Sequence, residues 1–395
     1  MTFTWTPMMC FAIIAFAFVV GEFCSRLTKG YVSAMVFGCF VAMGLFWSGI
    51  IPATVAVDST LLPTLNAVGV AMLLINMGTS IDIENLIQEW KTVVVCCAGL
   101  VGIGILAFTV GNAVFGKEYS LTAAPVVSGG VIAYQIVSEA ANAAGKPAFA
   151  GFAALVLAFQ SMIGMPVASF CLKKELISAK AKGMFSAEGE KKSSFKLPET
   201  NLFKDPSPAA DTPTLKFFKL AVVAVVGYCL STYVVPAINV NIMYLLVGVL
   251  ARKINFLQKE PLRAAGGYGY VMLCMYALTF NGFATVSPSD ALGFIFPLFG
   301  TLVLGVIGIA IMSLIAGKIV GYNPFVSIAC GVTALFGYPG TEILSNEVVN
   351  SMDDFTAEEK EKALAYVMPK MIVGGFTTVT IASVVFAGII APMIF

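Results

Sequence analysis

The sequence predicts an all-α polytopic membrane protein, with about ten transmembrane helices in two inverted five-helix repeats, each carrying a re-entrant hairpin. Two observations predict the helices. Apolar residues make up 58% of the 395 residues and charged residues only 11%, against roughly 25% charged in a soluble domain, so a soluble fold could not clothe its surface. Long windows also contain no Asp, Glu, Lys or Arg at all. A third observation predicts the hairpins: two further stretches, 119–145 and 323–350, carry little or no charge but are cut near the middle by helix breakers. Each half is then too short to span.

In chain order the uncharged windows are 1–21, 30–57, 59–81, 92–116, 147–172, 220–251, 264–289, 291–317 and 371–395. A crossing takes about 20 residues. Window 220–251 is too long for one crossing, and Pro236, Asn239 and Asn241 mark a break inside it, which brings the count to ten. No Lys or Arg precedes the first window, which argues against a cleaved signal peptide. The segment from Ile81 to Trp90 alternates apolar and acidic residues at helical spacing and reads as interfacial.

Residues 173–215, rich in Lys and Pro, read as a cytoplasmic linker between a first repeat, 1–172, and a second, 216–395. The positive charge of the linker, with Arg26, Lys29, Arg252, Lys253 and Arg263, orients the chain by the positive-inside rule and leaves both termini outside. Five crossings on each side of the linker make the halves antiparallel. Residue matches support a repeat. Gly99-Leu100-Val101-Gly102-Ile103 and Gly305-Val306-Ile307-Gly308-Ile309 lie 206 positions apart, Gly116 and Gly321 205, and Tyr134 and Tyr338 204, as are Gly78 and Gly282.

Composition also excludes functions. The chain has no His, so His-based metalloproteases, Ser/His or Cys/His dyads and imidazole relays are ruled out. The apolar windows hold no Asp, which leaves no facing pair for an aspartyl protease. The expectation is a protein that is not an enzyme. A net charge of +1 offers no field for nucleic acid. The nine Cys lack metal-ligand spacing, and most sit in apolar runs as small hydrophobes.

A bilayer gives no reason to break a helix at mid-depth unless something polar is handled there. Broken helices offer carbonyls at one end and amides at the other, which suit a small cation and a carboxylate respectively. The first break, Ser128-Gly129-Gly130, is followed by Tyr134, Gln135, Ser138, Glu139 and Asn142; the second, Gly337-Tyr338-Pro339-Gly340, is flanked by Thr333, Thr341, Glu342, Asn346 and Glu347. Structural roles are open beside the functional ones. Ser128, Thr333 and Thr341 also fit local bonds to the preceding turn. Glu342 fits a helix N-terminus, and Glu139, roughly 14 Å along the helix from Gly130, fits the headgroup region. Asn76, Gly78, Asn281 and Gly282 end two helices at matching repeat positions, as C-caps or as parts of the ion site. Asp353 and Asp354 read as solvated loop before a capping box, Thr356 to Glu359, and Pro369 as a kink. The only Arg residues, Arg26, Arg252 and Arg263, sit at expected membrane edges, so an anionic substrate would be held mainly by amide dipoles and hydroxyls.

Over most of its length outside the linker, the chain resembles the sodium/glutamate symporter (ESS) family. Five stretches carry the likeness through their order and spacing: Leu74-Ile75-Asn76-Met77-Gly78, Val127-Ser128-Gly129-Gly130, Gly164-Met165-Pro166-Val167-Ala168, Leu246-Val247-Gly248-Val249-Leu250, and Cys330-Gly331 through Pro339-Gly340-Thr341. The resemblance implies sodium-coupled symport of an acidic amino acid, glutamate-like, or a related organic anion. It also implies a plasma-membrane homodimer, with a hairpin-bearing transport domain moving against a dimerising scaffold in an elevator manner. The candidate substrate contacts, read from the two breaks, are Ser128, Gly129, Gly130, Tyr134, Gln135, Tyr338, Pro339, Gly340, Thr341 and Glu342. The candidate sodium contacts, read from the breaks and the matching helix ends, are Asn76, Gly78, Ser138, Glu139, Asn281, Gly282, Thr333 and Asn346, with sodium as the coupling ion and no other cofactor. The chain departs from the family pattern at Val131-Ile132-Ala133 and at Tyr338-Pro339-Gly340-Thr341, positions that bear on which anion is bound.

Overall fold

The structure, a computed structural model, describes residues 4–27, 34–80, 83–185, 202–203, 211–236, 238, 240–284 and 286–395. Regular structure among them is helical throughout. The main helices are α1 (Pro7–Leu27), α2 (Ala34–Trp47), α3 (Leu61–Ser80), α4 (Trp90–Phe115), α5 (Lys117–Val127), α6 (Gly130–Ala143), α7 (Pro147–Ala181), α8 (Pro213–Val234), α9 (Val240–Lys253), α10 (Tyr268–Gly282), α11 (Pro288–Val320), α12 (Pro324–Val332), α13 (Gly337–Asn350) and α14 (Ala357–Ile394).

Seven of these, α1, α3, α4, α7, α8, α11 and α14, are long and apolar enough to cross a membrane. The chain is a helical, multi-pass membrane protein. The other three expected crossings correspond to α2, α9 and α10, of 14, 14 and 15 residues, short of the roughly 20 a perpendicular crossing takes.

Local chemistry fixes the helix starts. Pro occupies the first turn of α7, α8, α11 and α12, where its missing N–H is not needed. Thr212, Ser287, Asn323 and Thr356 cap α8, α11, α12 and α14 with their side chains, and Asp290 and Glu359 complete capping boxes. The capping box expected at Thr356 is therefore present, and Asp353 and Asp354 are exposed ahead of it. Gly321, with φ of 79°, ends α11 in the left-handed region.

Among the described residues, four helices contain a π-helical turn: Leu65–Gly69 in α3, Ala107–Gly111 in α4, Leu230–Val234 at the end of α8 and Thr377–Ala382 in α14. Such turns are rare and free a backbone carbonyl. At the first residue of the α4 turn, Ser120 Oγ of α5 donates to the Ala107 carbonyl at 2.8 Å.

The linker assignment needs correction. Helix α7 continues through Lys173 to Ala181, because the 173–181 segment keeps a helical apolar stripe in which Leu176 and Ala179 are buried. Most of the remaining linker, 186–201 and 204–210, lies outside the described residues, as do Lys29, Asn239, Ile81 and Asp82. A short helix, Ile83–Gln88, occupies the segment read as interfacial.

The chain divides into two compact units, each drawing on both halves of the sequence. Unit one is Met1–Phe23, Phe37–Ile83 and Lys196–Thr285; unit two is Cys24–Val36, Glu84–Phe195 and Val286–Phe395. In unit one, α3 and α9 cross at glycines. A Cβ on Gly78 would stand 2.4 Å from the Leu245 carbonyl oxygen, and one on Gly248 2.6 Å from the Ile75 carbonyl oxygen. In unit two, α4 and α11 cross in the same way at Gly102 and Gly308, where a Cβ on either would lie within 2.5 Å of the other's carbonyl oxygen. Small residues let backbones approach closely where lipid supplies no hydrophobic drive.

Candidate functional site

Both broken helices belong to unit two. The first is a hairpin: α5 ends at Val127, Ser128-Gly129 form the tip, and α6 packs back against α5. Gly129 and Gly130, with φ of 143° and 80°, reverse the chain in backbone conformations that only glycine adopts readily. The second break lies earlier than its sequence suggests. Helix α12 tightens into a 3₁₀ turn, Thr333–Leu335, and the chain bends at Phe336-Gly337. Pro339 and Gly340 fall in the first turn of α13, where proline's missing N–H costs nothing. The arms of this second pair pack mainly on α7, α11 and α14 and not on each other.

The two tips meet at one residue. Val379 sits in the π turn of α14. A Cβ on Gly129 would lie 2.8 Å from its Cα, one on Gly130 2.7 Å from its Cγ1, and one on Gly337 2.7 Å from its Cγ2. The turn before it carries Gly374, against Thr333 and the Cys330 carbonyl, and Gly375, against Thr341. Three helix interruptions thus share one spot, with the amide ends of α6 and α13 and the carbonyl ends of α5 and α12 around it. Free amides at half-helix starts favour an anion, and free carbonyls favour a cation.

Buried oxygens without partners add to this chemistry. Among the described residues, the Thr122, Thr341 and Thr377 hydroxyls and Oε1 of Gln135 and Gln160 are buried and make no hydrogen bond. An unpaired buried polar atom costs roughly 1–3 kcal/mol. Thr377 lies two residues from Val379, Thr341 packs on Gly375, and Gln135 stands five residues beyond Gly130, about 7–8 Å along α6.

The remaining sequence candidates divide. Ser128 and Thr333 are buried and donate locally, to the Pro125 carbonyl at 2.6 Å and the Cys330 carbonyl at 2.5 Å, as the alternative reading allowed. Tyr134 and Ser138 are buried; Glu139 is exposed and accepts from Gln135 Nε2 at 2.9 Å. Glu342 and Asn346 are half-buried, with Asn346 Nδ2 donating to the Glu342 carbonyl at 2.9 Å. The side chains of Tyr338 and Pro339 lie outside the described residues.

Asn76, Gly78, Asn281 and Gly282 belong to unit one, which carries neither broken pair. Asn76 Oδ1 accepts from the Leu262 amide at 2.9 Å and Thr79 Oγ1 from the Glu260 amide at 3.1 Å, so these side chains cap the short helix Pro261–Ala264. Gly78 serves the α3/α9 crossing, and Asn281 and Gly282 close α10. Sequence reasoning missed Thr377 and Val379. The one signal was the hydroxyl-rich run Thr377-Thr378-Val379-Thr380 inside an apolar window.

No protein-family model matches the chain, and no curated protein matches it closely enough to count as a relative.

Proposed function

We propose that the protein is a secondary active transporter that couples sodium to the movement of a small organic anion, an acidic amino acid or a close chemical relative. One observation carries this reading: two interrupted helices place their tip glycines on Val379, inside a third interruption, among buried oxygens that lack partners. A receptor or scaffold has no use for three helix breaks at one point. Backbone ends and hydroxyls hold an anion and a cation weakly enough to release both, which a carrier requires.

The order of elements supports an inverted repeat of ten crossings. Each half runs through a long helix, a 14-residue helix, a third helix, a long fourth helix, a broken pair and a longest or near-longest final helix: α1 to α7, then α8 to α14. In this reading unit two is the moving, cargo-bearing part, and unit one is the scaffold through which two copies pair in the plasma membrane, with both termini outside. The competing readings within transport are proton-coupled symport and exchange or export of another metabolite.

The test is uptake by the purified protein in proteoliposomes, using a panel of labelled amino acids and carboxylates. At least one compound is expected to accumulate under an inward sodium gradient, and the accumulation to collapse when the gradient is dissipated. Accumulation that ignores sodium, or none across the panel, would count against the proposal.

A further inference from the structure

Unit two contains a second polar cluster that the helix breaks do not use. Glu175 is only 2% exposed, although its neighbours Lys173 and Lys174 are exposed on the same helix. Its Oε1 accepts from the Tyr366 hydroxyl at 2.9 Å. Its Oε2 is buried and makes no hydrogen bond among the described residues. From α14, Lys370 reaches the same place: it is 6% exposed, its Nζ donates to the Tyr366 carbonyl at 2.8 Å and it stands 4.2 Å from the Tyr366 ring centroid. Lys182 of the turn after α7 lies within electrostatic reach of the carboxyl group, and the Cys330 thiol of α12 is within reach of the carboxylate in turn.

The cluster extends toward solvent. Glu89, 6% exposed, accepts from the Tyr322 hydroxyl at 3.3 Å, and Thr92 lies 2.9 Å from the same hydroxyl. Burial raises the Tyr322 pKa, so this phenol remains a donor. Tyr322 lines an open cavity of about 720 Å³ together with Lys182, Lys318 and Asn323. Asn323 Nδ2 donates to Ser178 Oγ at 3.3 Å, one turn of α7 from Glu175. Asn323 thus joins the lining of that cavity to α7 about one helical turn from the buried acid.

A buried carboxylate is costly unless both oxygens are satisfied, and one of these is not. The group is buried, with the Tyr366 hydroxyl bonded to its other oxygen and Lys182 and Lys370 nearby. An acid held in this way inside a membrane protein reads as functional.

We propose that Glu175 is a proton-binding site of unit two, loaded from the water of the neighbouring cavity. Oε2 takes a proton from hydronium, leaving water, while Oε1 keeps its bond from Tyr366. That the proton travels with cargo rests on the transport reading above; that Glu175 binds it does not. Glu139, exposed on α6, and Glu342, half-buried on α13, lack this enclosure.

Infrared titration of the full-length protein in lipid nanodiscs, from about pH 4 to about pH 10, reads the carboxylic C=O stretch without any substrate. Wild type is expected to show a titrating buried-acid band that Glu175→Gln abolishes. Tyr366→Phe should keep the band and move its midpoint by about one pH unit, the worth of one hydrogen bond to a charged group. A band unchanged in Glu175→Gln, or no titrating band in wild type, overturns the proposal. If Glu175→Gln does not fold, an unmoved midpoint in Tyr366→Phe overturns it. A failed uptake assay with a positive titration sinks the transport reading alone.

Discussion

Gly129→Ala is expected to destabilise the protein by about 3–5 kcal/mol, and Gly116→Ala by only about 1–2 kcal/mol. The two positions share one liability and differ in another. Both have positive φ, 143° and 85°, where a side chain is strained. Only Gly129 is enclosed: its Cβ would stand 2.8 Å from the Val379 Cα and 3.1 Å from the Thr378 carbonyl oxygen, whereas nothing lies within 4 Å of a Cβ on Gly116. Backbone does not swing aside as a flexible side chain does, so the tip or the π turn has to shift. Unfolding in mixed micelles gives the two values, and uptake should fall at least tenfold for Gly129→Ala while Gly116→Ala retains it. Equal costs at the two positions would mean that the first tip does not press on α14.

Thr341→Val and Thr377→Val are expected to act in opposite directions on stability and on binding. Each replaces an unpaired buried hydroxyl with a methyl of similar size, so without ligand each variant should be as stable as wild type or up to about 1–2 kcal/mol more stable. Ligand stabilisation should behave differently. A ligand at 100 times its Kd stabilises the folded state by about 2.7 kcal/mol. If these oxygens face the ion or the anion, that gain is lost in either variant, and uptake drops by about 100-fold in the pair. Thermal unfolding with and without sodium and the transported anion measures both effects. Variants less stable than wild type without ligand, yet stabilised normally by sodium and anion, would assign the hydroxyls to packing.

Much of this was legible in the residues, for physical reasons that differ from place to place. Uncharged windows give the long helices because hydrocarbon tolerates little else. Ser128-Gly129-Gly130 gives the first tip because consecutive positive φ angles call for glycine. The second break was displaced because Pro339-Gly340 reads as a turn, although proline is equally at home in the first turn of a helix. Asn76 was drawn into the ion site by its repeat position, while its side chain is committed to the amide of Leu262, far along the sequence. Val379 carries no local signature, since a π turn depends on what packs against it. Glu175 was hidden by its neighbours: two exposed lysines beside it imitate the start of a solvated linker, and only the continuation of α7 turns it inward.

The central claim, that both helix breaks close on Val379, is tested most directly by cysteine cross-linking. The ideal Cβ of Gly130 lies 3.9 Å from the Val379 Cβ and that of Gly337 3.3 Å, near the roughly 3.5–4.5 Å separation found in disulfides. With the nine native cysteines replaced by alanine, Gly130→Cys/Val379→Cys and Gly337→Cys/Val379→Cys are each expected to form an intramolecular bond under mild oxidation, identified by peptide mass. A monodisperse protein in which either pair stays reduced would contradict the convergence of the tips, and the transport site built on it.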